Sequence, residues 1–197
     1  MLMEAINAIP QSVSAQTSER QFLVRRLRHS RDCFFGCLAD VPERLCHIRP
    51  CESAWSVIDC VEHIVIAEKA WHVRLQGRQP AHQPIDRAKD EFVNRVADRT
   101  EKRSAPERAQ PQGTYATLAE VTQEFRTVRD RTIDFAEHTA ENFREFSVEH
   151  APGVFDIHQF LLLAAALAEC HAKQIEEIKA SAAYRAAQKP RTEPWLT

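Results

Sequence analysis

Apolar residues recur every three or four positions in four long segments of the chain, a spacing that predicts amphipathic helices. We expect the first helix over about residues 18–40, with Ser18 and Gln21 as a capping box and Pro42 as its stop. The apolar face of this helix holds Leu23, Leu27, Phe34, Leu38 and Val41.

The second segment has the clearest ends. Ser56 is a natural N-cap with Asp59 at the third helical position, and Gly77 is a natural C-cap. The inward face consists of Val57, Cys60, Ile64, Ala67 and Trp71. His63 lies at the edge of this face, so its imidazole is predicted to reach the core.

Two further helices follow in the second half of the chain. One begins near Thr117, where Glu120 completes a capping box. A turn containing His150, Pro152 and Gly153 precedes the last helix, expected over about residues 156–183. Its inward set is Phe160, Ala164, Leu167, His171 and Ile175, or Gln174 in place of Ile175.

The connection over residues 78–113 is rich in proline and charge, with a short helix expected around Ala88–Arg103. A connection this long inside a compact domain is expected to cross one end of the bundle or to cover a site. It lacks strand-like alternation, so we do not expect it to form a second domain. The sequence therefore predicts an all-α fold over residues 1–197, a single domain with its core at about 18–183 and a polar tail at 184–197. The architecture is an up-and-down style four-helix bundle with a long crossover between helices 2 and 3.

Composition excludes several function classes. The four glycines are too few for the phosphate cradle of a Rossmann fold or P-loop, and for a hairpin-rich barrel. The net charge of −2 gives no overall attraction to nucleic acid or anionic lipid. The longest apolar run, Phe160–Ala168, is too short to cross a bilayer.

The six cysteines fall mostly inside apolar helical patterns, and the N-terminus shows no secretion signal. This combination predicts reduced, buried thiols and a cytoplasmic protein.

His63 and His171 are both predicted to face the core. A buried imidazole must hydrogen-bond or bind a metal, because an unpaired buried polar group costs about 1–3 kcal/mol. Helix bundles also build metal sites from inward-facing side chains. Spacing alone leaves two alternatives open, namely hydrogen-bonded core histidines and metal ligands.

The sequence around these histidines resembles the DinB-like (YfiT-like) superfamily over about residues 20–180. The matching stretches stand in the family's order: residues 55–64 (WSVIDCVEHI), preceded by Val41-Pro42 and Arg49-Pro50, then 97–100, 105–107, Gly153, Asp156, Gln159 and 171–175. The resemblance implies a four-helix bundle, often dimeric, with a divalent metal held by three histidines. One comes from the second helix and two from the last, at i and i+4, which places both rings on one face. In several branches the open coordination position is thought to activate a thiolate or water.

This chain departs from the pattern at one ligand. His63 matches the first position and His171 the third, but Leu167 stands four residues before His171 and has no lone pair. Cys60, one turn before His63, is a candidate third ligand. Two imidazoles alone are a poor site for zinc or nickel.

Two functions therefore compete. The leading hypothesis is a metal-dependent transferase or hydrolase, thiol-linked, with Zn or Ni on an incomplete three-histidine site. The alternative is a metal-free bundle that binds a small molecule or has a structural or dimerisation role. We expect a homodimer with an unidentified small-molecule substrate or ligand and no nucleic-acid or membrane partner.

Overall fold

The computed structural model describes residues 4–82, 86–99, 102, 104–150 and 153–189. Four long helices dominate it: α1 (Glu4–Leu38), α2 (Val57–Gln76), α4 (Leu118–His138) and α5 (Ile157–Ala180). The shorter elements are α3 (Ala88–Asn94), α6 (Ala182–Gln188), the strands β1 (Gln79–Pro80), β2 (Phe146–His150) and β3 (Gly153–Asp156), and 3-10 turns at Glu43–Leu45, Arg95–Ala97 and Glu107–Ala109. No described helix is both long and apolar enough to span a membrane.

The long helices form a four-helix bundle, as predicted, but their order around the bundle differs from an up-and-down arrangement. Both α1 and α2 pack against α4 and α5. Helices consecutive in the chain, α1 and α2, therefore lie diagonally across the bundle. The periodicity of one helix shows which face is buried, and it does not say which neighbour covers that face.

The predicted helix caps of the middle of the chain are confirmed. Ser56 and Asp59 form a capping box at the start of α2, Thr117 and Glu120 form one at the start of α4, and Gly77 follows the end of α2. Each box satisfies backbone N–H groups that the first helical turn leaves without partners.

The predicted start of the first helix is wrong. Helix α1 begins at Glu4, so Ser18 and Gln21 lie within it and form no N-terminal capping box. A side-chain cap is needed only where backbone N–H groups lack partners, and the helical turns before Ser18 already supply carbonyl acceptors.

A small antiparallel sheet adds to the predicted all-α fold. Strands β2 and β3 form a hairpin in which Val148 pairs with Phe155, and β1 joins the free edge of β2. The side chains of Val148 and Phe155 are buried. Gly153, at the start of β3, has a φ of 122°, a backbone conformation that favours glycine. The alternation of Phe146, Ser147, Val148 and Glu149 is the strand signal in this segment.

A polar layer lies between two apolar clusters of the bundle core. The fully buried guanidinium of Arg129 forms a salt bridge with Glu68, and it also donates to Ser30 Oγ and the Ala164 carbonyl at 2.9 Å each. Thr132 Oγ1 donates to the other Glu68 oxygen at 3.0 Å. This layer ties together all four long helices.

All six cysteines are free. Cys37, Cys46 and Cys60 are buried as expected, whereas Cys33 and Cys51 are exposed. Residues 190–197 of the predicted tail, Thr100 of the crossover and Pro152 of the predicted turn lie outside the described residues.

Candidate functional site

A cavity of about 820 Å³ lies between α2, α5 and the crossover segment, which we define as residues 77–117. His63 of α2 and Leu167 and His171 of α5 line it, together with Arg108 and Ala109 of the crossover segment. The sequence left open whether this long connection crosses the end of the bundle or covers a site. It forms one wall of the cavity.

The two imidazoles predicted to meet in the core lie side by side in this cavity. The ring centroids of His63 and His171 are 4.8 Å apart, and the planes meet at 63°. Both side chains are almost fully buried, at 5% and 6% exposure. The Trp55 indole contacts both rings, at 4.9 Å from His63 and, nearly parallel, at 5.8 Å from His171.

The hydrogen bonds of the two rings define their tautomers. His63 Nδ1 lies 2.6 Å from the Ala109 carbonyl oxygen, which only accepts, so Nδ1 carries the hydrogen. Arg99 donates to Gln174 Oε1 at 3.0 Å, which identifies that atom as the amide oxygen. The same oxygen lies 2.9 Å from His171 Nδ1, which must therefore donate as well.

Both rings consequently present an Nε2 lone pair. Burial lowers the pKa of His63, and burial together with the neighbouring His63 and Arg99 lowers the pKa of His171 to about 3. Both imidazoles are neutral at physiological pH. In the described part of the chain, His158 Nδ1 is the one buried side-chain nitrogen or oxygen that lacks a hydrogen bond. The Nε2 atoms of His63 and His171 are not in this class, so neither is sealed off from the cavity.

Glu62, the residue before His63, fixes the crossover segment to α2. Its buried carboxylate accepts from the backbone N–H groups of Gly113 at 3.0 Å and Thr114 at 2.9 Å. Burial alone would raise the pKa of Glu62, but these hydrogen bonds and others from the same turn lower it below its usual value. Adjacent residues of α2, His63 and Glu62, thus hold the C-terminal part of the crossover segment against the cavity.

The ligand position of the three-histidine pattern that lies four residues before His171 holds Leu167, which lines the cavity. Cys60 is fully buried and is absent from the cavity wall, and burial raises the pKa of its thiol well above the usual value. The described residues contain no group of three His, Cys, Asp or Glu side chains able to hold a metal ion. The donors present do not fit a three-ligand metal centre, and the ligand roles of His63, His171 and Cys60 stay predictions.

Sequence reasoning missed the residues that orient the imidazoles. The spacing allows either Ile175 or Gln174 to face inward. In the structure Ile175 is buried, and Gln174 lines the cavity. Its spacing of three residues from His171 is the signal that predicts contact on a helix. Arg99 has no local signal, because its partners Gln174 and Glu177 lie on a distant helix.

The fold and the cavity define a helical bundle that places paired, neutral imidazoles at an internal cavity. The chain belongs to the DinB superfamily, whose family model matches residues 26–175. This confirms the resemblance drawn from the sequence.

One solved structure supports the same fold. YfiT from Bacillus subtilis, described as a probable metal-dependent hydrolase with an unusual four-helix bundle topology, matches with a TM-score of 0.54 and 12% sequence identity. The match covers 82% of this chain and 86% of YfiT. No curated protein matches the sequence.

Proposed function

We propose that this DinB-superfamily protein binds a small organic molecule in the cavity, and that His63 and His171 receive a hydrogen-bond donor of that molecule. The observation that supports the proposal is the pair of neighbouring rings whose Nδ1 atoms already donate within the protein. No residue that the structure describes donates to their two Nε2 lone pairs, which can therefore accept from a bound molecule. A thiol, hydroxyl or amine of a ligand supplies one.

The lowered pKa values favour binding over proton abstraction. An effective general base has a pKa near the working pH, and the pKa of His171 is about 3. A base this weak accepts a hydrogen bond readily but takes a proton from a thiol or hydroxyl poorly.

A second candidate is a metal-dependent transferase or hydrolase that acts on a thiol-linked substrate. The supporting observation is that a carbonyl and an amide oxygen fix the two Nδ1–H groups, as outer partners commonly do for metal-binding histidines. His63 and His171 would hold Zn or Ni, and a substrate or solvent donor would have to replace the ligand that Leu167 lacks. The metal would supply Lewis-acid activation.

Metal analysis separates the two candidates. Protein purified without a metal-affinity tag and incubated with micromolar zinc or nickel is desalted and analysed for bound ions. The binding-protein proposal expects less than about a tenth of an ion per chain, whereas the enzyme candidate expects about one.

Ligand binding is tested by thermal shift against a panel of organic acids, thiols, alcohols and amines. Leu167→Trp places an indole in the cavity beside His171 and should weaken stabilisation by any hit, whereas Val73→Trp introduces the same side chain at an exposed position away from the cavity. Equal stabilisation of the wild type and Leu167→Trp would place the binding elsewhere and contradict the proposal.

The homodimer and the cytoplasmic location also stay proposals, carried by the family resemblance and the cysteine pattern. Sedimentation of the purified protein across a concentration series tests the first, and fractionation of cells tests the second.

A further inference from the structure

We infer that the ligand of the cavity is an organic anion with an apolar body, whose acid group lies against Arg108 and Lys102 of the crossover segment. This inference rests on the proposed binding function and names the chemical class of the ligand. It follows from the charge of the cavity wall, from which charged side chains there already have partners, and from the placement of the apolar side chains.

The cavity wall is locally cationic although the whole chain has a net charge of −2. Among the residues that the structure describes, four cationic side chains line it, against two carboxylates. The cations are Arg74, Arg99, Lys102 and Arg108, and the carboxylates are Asp98 and Glu177. An excess of one sign inside a concave, partly apolar wall concentrates ligands of the opposite sign.

Two of these cations already have partners. Arg99 donates through two nitrogens to the Glu177 carboxylate at 3.0 Å each, and Arg74 donates to the Glu149 carbonyl at 3.3 Å. These side chains are positioned by the protein itself.

The other two cations remain available. Arg108 and Lys102 form no hydrogen bond or close ion pair with any residue that the structure describes, and both side chains are exposed at the cavity wall. The charge of Lys102 acts on Glu177, but that carboxylate is already engaged by Arg99. Arg108 and Lys102 are therefore the groups best able to receive an anion from solution.

The position of Arg108 links this anion site to the imidazoles. Arg108 precedes Ala109 in the 3-10 turn Glu107–Ala109, and the Ala109 carbonyl accepts from His63. An acid group at Arg108 thus lies in the same cavity as the Nε2 lone pairs, on the wall that carries the hydrogen-bond partner of His63. A ligand with a hydroxyl as well as an acid group can meet both features.

The opposite part of the wall is apolar. It is formed by α2 and α5 through Ile66, Ala67, Trp71, Leu163 and Leu167. Several of these side chains are almost fully buried by the bundle and leave only their cavity-facing surface open. Such a wall is mostly hydrocarbon, so it favours an alkyl or aryl body.

The experiment uses the full-length protein and four soluble probes: 3-hydroxydecanoate, decanoate, decyl phosphate and 1,3-decanediol. Binding is measured by calorimetry and by the fluorescence of Trp55 and Trp71, which line the cavity. We expect the anions to bind about tenfold or more tightly than the uncharged diol, and added salt to weaken the anions selectively. Comparison of decanoate with decyl phosphate identifies the preferred acid group.

Variants test the assigned cations. Arg108→Gln and Lys102→Gln should each weaken binding of 3-hydroxydecanoate about fivefold, which corresponds to the loss of one charge interaction near the surface. Arg126→Gln is the matched control, since Arg126 stacks on Phe35 and does not line the cavity.

The outcomes separate this inference from the proposed function. Equal affinity for the diol and the anions, or unchanged affinity in the Arg108→Gln, Lys102→Gln double variant, overturns the inference and leaves the proposed function standing. If compounds of other classes bind but none of the four probes does, the inference is likewise overturned and the proposed function still stands. Failure of every compound in both experiments overturns both. Tighter binding of 3-hydroxydecanoate than of decanoate supports the proposal that a hydroxyl of the ligand donates a hydrogen bond to His63 or His171.

Discussion

Leu167 lies one helical turn before His171 on α5 and lines the same cavity. The resemblance places a histidine where this leucine stands, so the chain lacks that imidazole beside His63 and His171. The branched alkyl group extends the apolar wall instead. This arrangement supports the proposed binding of an organic ligand.

Restoring the third ligand tests the geometry of the pair. We expect Leu167→His to create affinity for zinc or nickel, because residues at i and i+4 project from one face of a helix. Added metal should raise the melting temperature of this variant and leave the wild type unchanged. The Leu167→His, His63→Ala double variant is the control, and an equal metal response in both would show that His63 takes no part.

Removal of one partner of the buried salt bridge should destabilise the bundle strongly. Arg129→Met leaves the Glu68 carboxylate buried without its cation, so we expect the free energy of unfolding to fall by about 3–5 kcal/mol. Denaturant unfolding measures the change. Arg126→Met, at a position outside this layer, should have a much smaller effect.

A double variant separates charge from packing in the same layer. Arg129→Met combined with Glu68→Leu removes both charges, and we expect it to be more stable than Arg129→Met alone. A double variant that is the less stable of the two would mean that shape, rather than the unpaired carboxylate, carries the cost.

Glu62 should control the order of the crossover segment. Glu62→Ala removes the acceptor of the Gly113 and Thr114 amides, so hydrogen exchange at these amides should accelerate about tenfold or more. Exchange measured by mass spectrometry on peptic peptides reports the change. Glu52→Ala, on the exposed loop before α2, serves as the control and should leave exchange in this segment unaltered.

His158 should make the protein sensitive to acid. Burial and the charge of Arg144 lower the pKa of His158 to about 4, even though Glu19 and Asp90 act in the opposite direction and Arg87 adds to the lowering. Between pH 6.5 and about 4 the unfolded chain binds a proton at this residue and the folded chain does not. Stability from this group is therefore present above that window and is lost as the pH falls through it.

His158→Gln should reduce this loss. We expect the melting temperature of the variant to fall less than that of the wild type when the pH is lowered from 7 to about 4.5. His138→Gln is the control, because His138 is largely exposed. Identical pH profiles for the wild type and His158→Gln would show that other groups cause the acid sensitivity.

Much of the fold could be predicted from local patterns. The capping boxes at Ser56 and Thr117 were correct because a cap is a contact between residues three apart, so its geometry is contained in the sequence of one turn. The start of α1 was wrong for the complementary reason. Ser18 has the residue type of a cap, but whether a cap forms depends on whether the chain before it is already helical.

The candidate site was predicted only in its outline. Periodicity placed His63 and His171 on the inner faces of two helices, and the structure brings their rings together. The partners that set their tautomers, Ala109 and Arg99, lie on the crossover segment, whose irregular backbone has no period to interpret.

The sequence by itself determined the helices, most of their ends, and the absence of a histidine at position 167. These properties follow from backbone hydrogen bonds and side-chain spacing within a few residues of each other. Only the tertiary structure decided the diagonal placement of α1 and α2, the cover that the crossover segment forms over the imidazoles, and the cationic wall around Arg108. These depend on contacts between residues distant in the chain, where packing of whole helices selects one arrangement among several that satisfy the same local pattern.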